Sequence, residues 1–233
     1  MILESGREIP AAMVVLAIGV KPEVWLAKEA GLAIGSTGGI LVDEYSRTSD
    51  PSIYAVGDAI QVKHLVTGLD VLVPLAGPAS RQGRLVADNI AGSPVKHRGV
   101  QGTAIVKLMD MTVAVTGANE KTLMRLGIDY LDCQIHSDPH AAYYPGGVQM
   151  SMKLLFTPLE GKILGAQVVG YTGVDKCIDV LATALRAKMT VFDLQELELA
   201  YAPPFSSAKS PVNMVGYVAA NILRKEVETV RWE

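Results

Sequence analysis

Three groups of side chains in this sequence are of types that do chemistry. The first is Gly57-Asp58, which closes the short apolar stretch Ile53-Tyr54-Ala55-Val56. A glycine there lets backbone approach a bulky ligand, and the carboxylate behind it can accept a hydrogen bond from a sugar-like hydroxyl. The plainer alternative is a surface aspartate in a turn, where such residues are favoured. The second group is phenolic: Tyr143-Tyr144-Pro145-Gly146 and, much later, Tyr201, with Lys209 beyond it. Phenols stay neutral at physiological pH and donate hydrogen bonds, but a lone tyrosine is more often a core residue, and Lys209 reads equally well as a solvated surface lysine. The third group is Cys133, Cys177, His136 and His140. Asp138-Pro139 breaks any helix between the two histidines, so they do not share a face and no metal site is expected. Cys133 lies in a strand pattern and Cys177 on an apolar helical face, which makes both core thiols rather than nucleophiles.

Regular elements have to position these groups. Ala11 to Ile18 is an unbroken apolar run ending at Gly19, the pattern of a strand buried on both faces. A short helix is expected over Glu23 to Ala30, closed by Gly31, and two further strands over Ile40 to Val42 and Ile53 to Val56. Pro78 sits in the first turn of a helix running to Ala91, with Gly92 as its stop. That helix begins with small residues, as suits an end pressed against an anionic ligand. Gly92 through Gly102 is the best candidate boundary.

The second half has another rhythm. Thr103–Lys107, Thr112–Thr116, Tyr130–His136, Gln149–Phe156 and Ile163–Gly170 read as five strands. Met150, Met152 and Leu154 alternate with Ser151 and Lys153, the period of a sheet with one exposed face. A helix around Glu120 to Leu126 joins the second and third strands. A longer one follows the sheet, with Val174, Ile178, Leu181, Ala182 and Leu185 facing the core. Leu194, Leu197 and Tyr201 suggest one more helical turn. Strands followed by helices argue an α+β layer.

Composition narrows the function classes. The chain has 233 residues, 49% of them hydrophobic, and a net charge of −3 with mixed signs, so neither nucleic acid nor an anionic membrane is favoured as a partner. Only 19% of residues are charged, which suggests apolar surface covered by another polypeptide. Two cysteines without C-x-x-C spacing fit a reducing compartment, and no signal peptide or membrane-spanning run is evident, so a cytoplasmic location is expected.

The segments Ala17-Ile18-Gly19-Val20-Lys21-Pro22, Thr48 to Ala59 and Pro74 to Arg84 follow one another as in FAD-dependent pyridine nucleotide-disulfide oxidoreductases, which this chain resembles. Leu199 to Met214, with its Tyr201-Ala202-Pro203-Pro204-Phe205-Ser206 core, is similar to the C-terminal signature of the branch containing coenzyme A-disulfide reductase, NADH oxidase and polysulfide reductase. That branch usually has aspartate where this chain has Ser210, a change between two good helix caps.

The resemblance implies an α/β remnant of the FAD- and NAD(P)-binding domains over 1–96. An α+β dimerisation domain, with an antiparallel sheet of about five strands, follows over 97–225, and 226–233 form a tail or linker. It implies FAD contacts at Gly57, Asp58, Ala59, Pro74, Leu75 and Ala76, with Ile18 and Gly19 near the nicotinamide nucleotide. In a homodimer, Tyr143 and Tyr201 would serve catalysis in the mate's site, with Tyr144 and Lys209 binding substrate. Electrons would pass from NAD(P)H through FAD to a coenzyme A disulfide, persulfide or polysulfide. The alternatives are a water-forming NADH oxidase, a cofactor-free dimerisation module, or an enzyme working through Cys133 or Cys177. Neither a Gly-rich FAD loop nor the family's redox cysteine is found, so the chain reads as a back half without turnover of its own, for which a missing N-terminal half is a possible partner.

Overall fold

The computed structural model describes residues 1–229. The first hundred residues contain little regular structure. They hold helix α1 (Trp25–Glu29), a single 3-10 turn at Gly57–Ala59, a two-residue antiparallel pair of β1 (Val62–Lys63) and β2 (Asp70–Val71), and the longer helix α2 (Ala76–Ile90). A small core of Ala27, Ile40, Ile60, Val62 and Val100 binds them.

The three strands expected here do not form. Ala11–Ile18 has no regular structure and is open to solvent, with Leu16 80% exposed. Ile40 and Tyr54 make isolated bridges, to Ile34, Ile60 and Arg47, rather than strands. The physical reason is that a strand is stabilised by its neighbours, and among the described residues no ladder flanks these runs.

The second half is a five-stranded antiparallel sheet. Its strands are β3 (Ala104–Leu108), β4 (Met111–Gly117), β5 (Leu131–Ser137), β6 (Met150–Phe156) and β7 (Ile163–Gly170), in the order β3-β4-β7-β6-β5. Helix α3 (Glu120–Leu126) links β4 to β5, with Asn119 capping its start and Gly127 in the left-handed conformation at its end. Helices α4 (Val174–Arg186), α5 (Val191–Glu196) and α6 (Pro211–Leu223) follow, α4 lying on β4 and β7 and α6 on β5 and β6.

Register explains the main core. Cys133 faces Leu154, Ile135 faces Met152 and Ser137 faces Met150. The apolar members of this face meet Val174, Ile178, Leu181 and Leu185 of α4 and Val215 and Ala219 of α6. Each large side chain fully buried there contributes about 1.5–3 kcal/mol relative to exposure. Ala182 is only partly buried, and Ala184 and Cys177 complete the α4 stripe.

The opposite face is not wholly open. A register shift between Leu155 and Phe156 breaks the alternation, and Leu155 and Leu164 join Leu123 of α3 and Ala118 in a second cluster. Leu194 belongs to α5, but that helix ends at Glu196; Leu197 turns extended and Tyr201 lies in a loop. Prolines at 203 and 204 suit that loop.

The two halves are joined through the connector between α2 and β3. His64 pairs in parallel with Val100, the Leu65 N–H donates to the Val100 carbonyl at 2.6 Å, and Leu65 and Val66 pack against the main core. Gln101 Nε2 reaches the Ala182 carbonyl of α4 at 2.9 Å. Among the described residues, no helix is long and apolar enough to cross a membrane. The expected tail over 226–233 lies partly outside the described residues, which stop before its last four positions.

Candidate functional site

Two loops bring the phenols together. The Ala141 N–H donates to the Pro203 carbonyl at 3.2 Å, and the Ser207 hydroxyl donates to the His140 carbonyl at 3.1 Å. These bonds tie the loop after β5 to the one before α6. A turn closed by Tyr144 N–H to Ala141 C=O, at 2.8 Å, then presents Tyr143 outward, with Gly146 at a φ of 89° where the chain turns back. The hydroxyls of Tyr143 and Tyr201 end 3.5 Å apart, and the side chains are 76% and 48% exposed.

The hydrogen bond to Tyr201 raises the Tyr143 pKa above its ordinary value of 10.0, so Tyr143 keeps its proton at physiological pH. Two adjacent neutral O–H groups can donate to one anionic atom, such as a thiolate sulfur.

Tyr144 lies edge-on to His140 with ring centroids 5.5 Å apart. Lys209 is exposed and its ammonium sits 5.8 Å from the Tyr217 ring, and the structure shows no direct contact between it and the tyrosine pair.

A second locus lies in the first half. Gly57, at a φ of 82°, starts the turn that carries Asp58 and Ala59, and Asp58 is exposed. The turn packs on α2, where a Cβ at Gly57 would sit 3.7 Å from that of Ala79. Sequence reasoning missed the residue that fixes this arrangement. Gln82 is 2% exposed, and its Oε1 accepts the Gly57 N–H at 2.7 Å. A polar residue in the middle of a helix carries no sequence signal for a partner 25 positions away.

Leu75 is the extended residue before α2 and provides no side-chain cap, so the first N–H groups of that helix are free for an acceptor. Pro74 and Ala76 beside it are exposed. Together the Gly57–Ala59 turn and the start of α2 offer a carboxylate and a positive helix end on one surface.

Ile18 and Gly19 are not drawn into either locus. Ile18 is 88% exposed, and a Cβ at Gly19 would meet nothing within 4 Å.

The thiols are unavailable. Burial pushes the Cys133 pKa up to about 12 and that of Cys177 up to about 11. Burial and a raised pKa do not suit a nucleophile, which speaks against an enzyme working through either thiol. His136 Nδ1 pairs with Ser151 Oγ at 2.9 Å and His140 Nδ1 with the Ala141 carbonyl at 3.1 Å.

Comparison with known proteins follows the same division. The family model described as pyridine nucleotide-disulphide oxidoreductase matches residues 1–83, and that of its dimerisation domain matches residues 103–211. An NAD(P)H sulfur oxidoreductase (CoA-dependent) from Pyrococcus furiosus is 36% identical over 93% of this chain and 49% of its own length. A coenzyme A disulfide reductase from Staphylococcus haemolyticus is 35% identical over 94% of this chain and 50% of its own. Among solved structures, reduced Bacillus anthracis CoADR-RHD superposes with a TM-score of 0.94 at 53% identity, covering 98% of this chain and 41% of that one. The chain thus spans about half the length of the curated relatives it matches.

Proposed function

The chain belongs to the pyridine nucleotide-disulphide oxidoreductases, and from that premise we propose that it supplies the dimerising, tyrosine-bearing half of an FAD-dependent reductase of disulfides, persulfides or polysulfides. The observation that carries this reading is the Tyr143–Tyr201 pair, whose hydroxyls stand 3.5 Å apart on an exposed surface. Reducing a disulfide breaks one S–S bond and consumes two electrons and two protons. The leaving sulfur is an anion until protonated, and two neutral phenols are suited to hold it. The names of the relatives point to coenzyme A-linked sulfur compounds as the substrate class.

The residues of the second locus fit one edge of a flavin nucleotide. Asp58 is free to accept from a ribityl hydroxyl, and the uncapped start of α2, at Leu75 and Ala76, favours negative charge beside it. When bound, FAD would accept hydride from NAD(P)H and pass an electron pair onward. Ile18 and Gly19 would approach the nicotinamide only with further polypeptide packed around them. Lys209, 5.8 Å from the Tyr217 ring, would steer an anionic substrate from the rim.

We assign the assembly to a homodimer. Apolar residues on edge strand β3 and in the turn after it, including Val106, Leu108 and Met109, are exposed, as befits a surface covered by a second copy. With both thiols buried and unpaired, a cytoplasmic setting suits the chain. No Gly-x-Gly-x-x-Gly loop is present and neither cysteine is accessible, so the chain alone should turn over no NAD(P)H.

Sedimentation and flavin titration test the reading together. A dimer that takes up FAD, and that oxidises NAD(P)H when co-expressed with a polypeptide supplying a Gly-rich loop and a reactive cysteine, supports it. A monomer at all concentrations, or a reconstituted enzyme indifferent to Y143F/Y201F, would overturn it.

A further inference from the structure

The turn that starts at His64 fastens the first half of the chain to the second. His64 pairs in parallel with Val100, the Leu65 N–H donates to the Val100 carbonyl at 2.6 Å, and the Val100 N–H returns a bond to the Lys63 carbonyl at 2.9 Å. Leu65 and Val66 then pack on the main core, and Val66 also on the cluster around Leu123. The shape of this turn therefore decides whether those two side chains stay docked.

The imidazole is built into the turn. It is half-buried, and its Nδ1 accepts the Thr67 N–H at 3.3 Å, with the Thr67 hydroxyl 3.2 Å from the same nitrogen. A backbone N–H can only donate, so Nδ1 must offer a lone pair and the ring must be neutral, with its proton on Nε2. A proton added at Nδ1 would set one N–H against another. The Thr67 hydroxyl can rotate to accept it, but the Thr67 amide cannot.

The ring also reaches across the seam. Burial holds the His64 pKa below its ordinary value of 6.5, against an opposite pull from the backbone of Gln101 and Gly117. Gly117 is the last residue of β4, in the second half.

The charged groups on the surrounding segments have partners of their own. Lys63 and Asp70 of the β1–β2 hairpin pair with each other at 2.8 Å, and Arg186 of α4 bonds the Gly99 carbonyl at 3.2 Å. Tyr130, which packs beside Val66, bonds Glu120, and Glu120 pairs with Lys153. On the connector, Arg98 gives its carbonyl to Arg186. His97 beside it is half-buried, and burial, then Arg186 and Arg81, push its pKa down as well.

We propose that His64 is an acid-sensitive latch: neutral, it closes the turn that docks the first half on the sheet, and protonated, it releases Thr67 and lets Leu65 and Val66 withdraw. The sign follows from the neutral ring's being the docked form. Its support is fully present above the open-state value of 6.5 and is lost as pH falls from there through the folded value. The latch requires no particular reaction and stands apart from the assignment of the tyrosine pair.

Amide hydrogen exchange of the whole chain tests it, read at Leu65 and Thr67 and divided by the intrinsic rate at each pH. Protection in the parent should fall roughly threefold or more between about pH 7.5 and about pH 5, and by no more than about thirtyfold, the limit that one proton imposes over that range. H64N sets an amide oxygen about where Nδ1 stands and has no proton to gain, so its protection should be flat. H97N should keep the parent's fall. As a second measurement, the Cε1 proton of His64, followed by nuclear magnetic resonance in the parent, should titrate below pH 6.5 together with the loss of protection. This decides the matter even if H64N fails to fold. Constant protection in the parent, an equal fall in H64N, disappearance of the fall in H97N, or a His64 midpoint at or above 6.5 would overturn the proposal.

Discussion

Tyr143 and Tyr201 meet at their hydroxyls, 3.5 Å apart, although 58 positions separate them in the chain. The contact belongs to neither residue's own element. It follows from two loops stitched by Ala141 to Pro203 and by Ser207 to His140.

Tyr143 should lose its proton later than a free phenol. The neutral form of Tyr143 is favoured in the fold, chiefly by its bond to Tyr201, so its pKa lies above 10.0. The sign follows: its contribution to stability is fully present below the unfolded pKa and is lost as pH rises through the folded one. In Y201F the phenolate absorbance of Tyr143 should appear at lower pH than in the parent. An unchanged ultraviolet titration in Y201F would show that the two hydroxyls do not interact in solution.

Gln82 should prove the anchor of the Gly57–Ala59 turn. Removing its Oε1 in Q82A leaves a half-buried N–H without a partner, which costs about 1–3 kcal/mol. Amide hydrogen exchange at Gly57 should accelerate by the same factor as the turn loosens. Equal exchange in Q82A and parent would place the anchor elsewhere.

The thiols should stay silent until the protein opens. Both carry pKa values raised by burial, to about 12 for Cys133 and about 11 for Cys177. The neutral thiols support the fold below their unfolded value of about 9, and that support fades as pH climbs from there through about 11 and 12. Labelling with a disulfide reagent at mild pH should follow the unfolding rate, and fast labelling of the native protein would contradict the burial.

Ser210 closes a reciprocal cap on α6. Its hydroxyl oxygen accepts the Asn213 N–H at 3.1 Å and its proton is given to Asn213 Oδ1 at 2.8 Å. S210A should cost about 1 kcal/mol in urea denaturation. S210D should recover only part of that, because a carboxylate reproduces the accepting half of the cap and not the donating half.

Gly165 admits no side chain. A Cβ there would stand 2.0 Å from the Ala118 carbonyl oxygen, which is backbone and cannot swing aside. G165A should lose about 1–3 kcal/mol or more through forced displacement of β4 from β7, seen as a lower thermal midpoint. A midpoint equal to the parent's would mean that the strands separate at little cost.

How much of this was legible in the sequence depended on the range of the forces involved. The alternation of Met150, Met152 and Leu154 with polar neighbours is local, and the strand and its inward face followed from it. Leu155 escaped the same reasoning, because its burial comes from α3 and a register shift that no two-residue period encodes. The run Ala11–Ile18 misled for the opposite reason: its pattern is that of a buried strand, yet burial has to be supplied by neighbours. Tyr201 sat at helical spacing from Leu194 and Leu197, but the helix stops at Glu196. Residue type marked both phenols as candidates, but a shared role for them followed only from resemblance to a family. Their approach to one another is tertiary, and Gln82 was invisible for the same reason.

The open run from Met13 to Ile18 has a practical consequence. It is uncharged, free of proline and rich in β-branched and aliphatic residues, the make-up of segments that stack between chains as cross-β ladders. Left uncovered, it should make the purified polypeptide precipitate as concentration rises, with fibrillar seeds that bind thioflavin. A single lysine in place of Val15, which touches neither proposed site, should keep the material in solution.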